Sequence, residues 1–181
     1  MKKHIFNTGS NLPKAKYGDQ FELWNRRDKL VEKPILNQSR RDGTVLYGAY
    51  AVNKLVGKHN ERNTYDFDVY SSTPKHHAIE IEQSIDHGVN ADLAYVEQTS
   101  YTMGKKEKPL FRVKTRMNDR VEADFNTMPT GIRFVKRSGV RYETLGRAEK
   151  KYDRMLSHPE TGRGFNATID KARIRMARRR L

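Results

Sequence analysis

Asp66 and Asp68 stand at i and i+2 in the run Arg62-Asn63-Thr64-Tyr65-Asp66-Phe67-Asp68-Val69-Tyr70. Side chains alternate along a strand, so both carboxylates leave one face, about 7 Å apart, while Tyr65, Phe67 and Val69 leave the other. Two hard oxygen donors on a rigid strand suit Mg²⁺ held against the oxygens of a triphosphate. A second acidic strand, Val121 to Asn126, turns Val121, Ala123 and Phe125 one way and Glu122, Asp124 and Asn126 the other. If the two strands are neighbours, Asp124 stands beside Asp66 and Asp68. Three such carboxylates can hold two metal ions, and the third can accept a proton from an attacking hydroxyl. Spaced acids also arise by chance: Glu80 and Glu82 diverge on a helix set by Ala78, Ile81, Ile85 and Val89, and are discounted.

The elements that must position these residues can be read around them. Thr44 to Tyr47 is a short apolar strand stopped by Gly48, and Ala51, Val52, Leu55 and Val56 follow at helical spacing. A glycine between strand and helix lets the backbone turn sharply, and the first N–H groups of the helix face a phosphate favourably. Ser71-Ser72-Thr73-Pro74 starts the helix that carries Ile81 and Ile85. Strands are expected from Leu93 to Tyr101 and from Leu110 to Met117, and a basic hairpin from Ile132 to Leu145 around Gly139. Upstream, Phe21, Trp24, Leu30 and Val31 suggest a helix ending near Pro34. Downstream, one helix has Leu145, Ala148, Tyr152, Met155 and Leu156 inward. A last helix, capped by Asn166, has Ile169, Ala172 and Met176 inward. Its outward Lys171, Arg173, Arg175, Arg178, Arg179 and Arg180 form a candidate track for a phosphate backbone, or else a solvated charged face.

Charge sharpens the reading. The chain carries +14 overall. Residues 1 to 42 hold ten Lys/Arg against five acids, residues 43 to 100 four against eight, and residues 101 to 181 twenty-two against nine. An acidic centre inside a basic frame suits a protein that binds metal and nucleotide at one spot and a polyanion around it. With 35% hydrophobic residues and a mean hydropathy of −0.93, 181 residues suffice for one core with polar arms. There are no cysteines, which removes disulfides, thiol nucleophiles and Cys-based zinc sites, and the six histidines show no ligand spacing. No apolar run reaches membrane-span or signal-peptide length, so a cytoplasmic protein with no membrane partner is expected.

Gly48-Ala49-Tyr50-Ala51-Val52-Asn53, Arg62 to Asp68, and Asp124 within Glu122-Ala123-Asp124-Phe125 together resemble nucleotidyltransferases of the DNA polymerase beta superfamily. Asn53, the Arg62-x-Thr64 lead, Pro129 and Gly139-Val140-Arg141-Tyr142 look closest to poly(A) polymerase catalytic domains of large DNA viruses and their phage relatives. The resemblance implies an α/β (α+β) fold: a mixed-sheet nucleotidyltransferase domain over residues 21–145, after a basic arm over 1–20, with a basic helical pair over 146–181. It implies transfer of a nucleoside monophosphate from an NTP such as ATP to an RNA 3′ end. Mg²⁺ or Mn²⁺ would sit on Asp66, Asp68 and Asp124, with Gly48, Ala49, Asn53 and Arg62 around the nucleotide. RNA or tRNA would be the acceptor, a processivity protein the partner, and the setting a viral or phage protein in the host cell or virion. Ala49 departs from the Gly-Gly or Gly-Ser of the family turn. The alternatives are a toxin-type tRNA nucleotidyltransferase and an inactive nucleic-acid-binding or virion protein; transfer to a protein is disfavoured by the charge.

Overall fold

The computed structural model describes residues 3–9, 11–58, 61–103, 106–157 and 164–178. Alternating apolar positions generate strands β1 (His4–Phe6), β2 (Val45–Tyr47), β3 (Phe67–Ser71), β4 (Ala94–Met103), β5 (Lys106–Thr115), β6 (Val121–Thr127), β7 (Phe134–Arg137) and β8 (Val140–Glu143). They form one mixed sheet in the order β1-β4-β5-β6-β3-β2-β8-β7. Six α-helices accompany it: α1 (Tyr17–Asn25), α2 (Lys33–Asp42), α3 (Gly48–Val56), α4 (Pro74–Val89), α5 (Leu145–Leu156) and α6 (Gly164–Arg178).

The main core lies on one face of the sheet. Phe67 and Val69 of β3, Val96 of β4, Phe111 and Val113 of β5, and Ala123 and Phe125 of β6 pack with Ile81 and Ile85 of α4 and with Leu23, Val31 and Ile35. A smaller cluster joins Val52 and Val56 of α3, Ala148 and Tyr152 of α5, and Ala167 and Ile174 of α6. The other face of β3 and β6 therefore keeps its polar residues.

Several expectations hold and several are corrected. The β2–Gly48–α3 unit, α4 and the β7–β8 hairpin form as expected, the last around Ser138 and Gly139, both at positive φ. Pro34 begins α2 instead of ending a helix: it sits in the first turn, where a missing N–H costs nothing, after a π-helical turn at Asp28–Glu32. Part of the segment read as an arm is docked. His4–Phe6 pairs antiparallel with β4, and the Thr8 N–H and hydroxyl both donate to the buried Glu82 of α4. Asp66 is not in a strand; it occupies a bend just before β3. Asn166 lies within α6, not at its cap, and the helix is rotated from the expected phase. Ala167, Asp170, Arg173 and Ile174 face inward, while Met176 and Ala172 are exposed.

Candidate active site

Alternation along β3 sends Phe67 and Val69 into the core and leaves Asp68 half-buried on the opposite face. Strand β6 does the same with Ala123 and Phe125 against Asp124. The two strands are parallel and in a register that sets Asp68 directly beside Asp124, with a strand spacing of about 4.8 Å. On the other side of β3, antiparallel β2 places Tyr47 opposite Asp68. Gly48 follows with φ of +70°, and a Cβ built on it would lie 2.0 Å from Asp68 Oδ2. The glycine is required twice over, for the left-handed turn and for the space the Asp68 carboxylate occupies. It is also the first residue of α3, whose free N–H groups supply partial positive charge.

Asp66 is exposed on its bend, with the Thr64 hydroxyl 3.3 Å from Oδ1. Its charge reaches Glu122, which is fully buried and paired with Arg27 at 2.7 Å and Arg120 at 3.2 Å. Burial, helped by Asp66, still raises the Glu122 pKa. Arg112 of β5 donates to Asp124 Oδ1 at 3.2 Å. The alternation of β5 placed Arg112 on the polar side, but its pairing with Asp124 follows only from the β5–β6 register.

These observations bear on a metal ion. Asp68 and Asp124 are adjacent acceptor-only groups on one face, beside a cradle that a single Cβ would fill, and they fit a divalent cation. Asp66, exposed on its bend, does not converge with them into the expected three-carboxylate cluster, because the bend takes it off the alternation of β3. Among the described residues, however, the group of three acidic or imidazole side chains with ligand atoms within 4.8 Å of one another is a different one, Asp42, His77 and Glu80. It lies at the far end of β3, where His77 Nδ1 meets Ser71 Oγ at 2.6 Å. The Arg41 guanidinium already bonds both Asp42 and Glu80, and Gln38 donates to Glu80. Burial keeps the His77 pKa low. The cluster is satisfied internally by its own cation.

Asn53 and Arg62 turn toward α6. The Asn53 amide donates to the Arg62 carbonyl at 2.7 Å and accepts from the Arg62 N–H at 3.2 Å. The Arg62 guanidinium grips Asp170 through two bonds, 2.8 and 3.0 Å, which raises the Arg62 pKa. Arg173, expected on an outward track, is 5% exposed and bonds Asp170 and Asn53. The outward cations of α6 tie it to α5: Lys171 to Asp153, and Arg175 and Arg178 to Glu149 at 3.3 and 2.7 Å. Arg179 and Arg180 lie outside the described residues.

No protein-family model matches the chain, and no curated protein sequence matches it. Among solved structures, the crystal structure of the Megavirus polyadenylate synthase matches 93% of this chain at 17% identity, with a TM-score of 0.56. The match takes in 40% of that chain, so the present sequence spans well under half of its length. The likeness is one of fold: a mixed α+β domain built on one sheet. No helix among the described residues is long and apolar enough to cross a membrane.

Proposed function

We propose that this protein is a metal-dependent nucleotidyltransferase that adds a nucleoside monophosphate from an NTP to an RNA 3′ end without a template. The observation that carries this reading is the in-register pair Asp68 and Asp124 beside Gly48 at the start of α3. Bound at these carboxylates and Asp66, Mg²⁺ or Mn²⁺ would neutralise the triphosphate and acidify the attacking hydroxyl. The backbone N–H groups at Gly48 and Ala49 receive phosphate oxygens, so the lack of a hydroxyl at Ala49 does not remove this contact. Asp124 takes the proton of the acceptor 3′-hydroxyl as its oxygen bonds the α-phosphorus. The bond from that phosphorus to the bridging oxygen breaks, and pyrophosphate leaves. Arg112, 31% exposed beside Asp124, offers the nearby positive charge.

The net charge of +14 supports RNA as the acceptor, since small-molecule acceptors need no basic frame. Arg175 and Arg178, each about half exposed, are the described part of that frame on α6. A processivity partner, or a compact acceptor such as tRNA, belongs to this reading. That the structural neighbour is the polyadenylate synthase of Megavirus favours a viral setting and polyadenylation. A second reading, an inactive RNA-binding protein of the same fold, is favoured by the pairing of Arg112 with Asp124. Incubation with each labelled NTP, Mg²⁺ or Mn²⁺, and tRNA or an oligonucleotide separates the two. Label that enters RNA and is lost in Asp68→Ala supports the enzyme. Salt-sensitive RNA binding unaffected by Asp66→Asn, with no transfer under either metal, supports the second reading.

A further inference from the structure

We infer that Asp170, on the C-terminal helix, is a positioning residue for the carboxylate strand, acting through the Arg62 guanidinium. The inference rests on the reading of Asp66 and Asp68 given above. Residues 61 to 65 belong to no helix or strand, so no backbone ladder holds the segment that delivers Asp66 to its bend. Side chains hold it instead. Asn53 of α3 clamps the backbone of Arg62 at both its N–H and its carbonyl. Asp170 of α6, 2% exposed, takes the Arg62 side chain in a two-pronged bond. Arg173 closes the ring by bonding Asp170 at 2.5 Å and Asn53. A further tether comes from Arg27, which donates to the Tyr65 carbonyl at 2.6 Å and to Glu122 at 2.7 Å.

The chemistry of the ring makes Asp170 its centre. Within the ring it is the carboxylate that lies between two guanidiniums, Arg62 and Arg173, both partly or wholly buried, and charge-assisted two-pronged bonds fix both distance and plane. Without that carboxylate, Arg62 and Arg173 face one another as like charges in a poorly solvated site. Arg62 is then driven outward, and it carries with it the chain four residues before Asp66. Tyr152 of α5, its pKa raised first by burial and further by Asp170, lies on the same ring. Helix α6 therefore serves the catalytic strand directly, beyond any contact its outer cations make with RNA.

The test uses Asp170→Asn and Arg62→Lys in the full chain, read by amide hydrogen exchange and by nucleotidyl transfer. Asp170→Asn keeps the shape and removes the charge; Arg62→Lys keeps the charge and removes the two-pronged geometry. Both are expected to speed exchange of the Arg62 amide, which Asn53 holds, by tenfold or more while Val69 and Phe125 stay protected. Both are also expected to lower kcat by about 10²-fold, the cost of misplacing a reacting group by about 1 Å, with KM for NTP little changed. Asp170→Glu should restore part of kcat. If Asp170→Asn does not fold, Arg62→Lys alone carries the test. Unchanged exchange of the Arg62 amide in a folded variant overturns the inference. Selective loss of protection there in a protein that transfers no nucleotide upholds the ring and refutes the enzymatic reading instead.

Discussion

Gly48 has two reasons to be glycine, and they can be separated. Its φ of +70° costs an L-residue about 1–2 kcal/mol. A Cβ there would also lie 2.0 Å from Asp68 Oδ2 and 2.9 Å from Asp68 Cγ. Real Cβ contacts essentially never fall below 3.0 Å, so the Asp68 carboxylate must retreat by at least about 1 Å, enough to cost on the order of 10²-fold in rate. Gly57 supplies the control: its φ is +85°, yet nothing lies within 4 Å of an added Cβ. Gly48→Ala and Gly57→Ala should therefore both lose stability to backbone strain, by a few degrees in Tm or more for a chain of this size. Only Gly48→Ala should lose transfer by about 10²-fold and bind Mn²⁺ more weakly by electron paramagnetic resonance. If Gly48→Ala keeps wild-type turnover and Mn²⁺ affinity, the carboxylate of Asp68 is not where the chemistry occurs. If both variants lose activity alike, backbone strain and not the Asp68 contact is responsible.

Three other perturbations test the same structure. Burial pushes the Asp86 carboxyl up to about 7; between pH 4 and 7 the folded chain keeps a proton that the unfolded chain has released, so stability falls as pH rises, by as much as ~4 kcal/mol. Asp86→Asn should remove this fall, and its advantage over wild type in urea melts should grow from pH 5 to pH 8; an advantage constant with pH refutes the assignment. Asp68→Asn and Asp124→Asn should each reduce transfer by about 10²-fold or more in a protein that still melts cooperatively, with Asp124→Asn giving up some stability with the Arg112 ion pair; calorimetry and single-turnover assays check both. Phe125→Ala, which empties a fully buried site under α4, should cost about 3–5 kcal/mol in a denaturant melt, and a loss under about 1 kcal/mol would show that the core is not organised around this strand.

Much of the candidate site was legible because its signals are local. The β2–Gly48–α3 turn is written in five consecutive residues, and the faces of β3 and β6 follow from a period of two. Asp68 and Asp124 could therefore be assigned to polar faces without knowing the fold. Where structure and sequence part, the deciding contacts are not local. The apolar period of α6 was followed without allowing for buried polar residues, so Arg173 was placed outward when Asp170 and Asn53 hold it inside. Pro34 was read as a stop because proline ends and begins helices with equal ease, and only the preceding π-helical turn decides which. For Asn53 and Arg62, which the resemblance sets around the nucleotide, no local signal announces the bonds they make to each other and to α6, more than a hundred residues away along the chain.

The stretch around Asp66 and Asp68 shows where the division falls. Sequence alone determined that Asp68 shares a strand with two core residues and faces away from them, since side-chain alternation is a property of the backbone. It also determined the glycine turn beside it and the acidic centre in a basic chain. Tertiary structure alone decided that β3 and β6 are parallel neighbours with Asp68 on Asp124, that Arg112 joins them, and that Asp66 stands on a bend steered by Arg62 and Asp170. Register and ion-pair choice are set by how distant elements pack, and a one-residue slip of either strand would have turned the two carboxylates to opposite faces of the sheet.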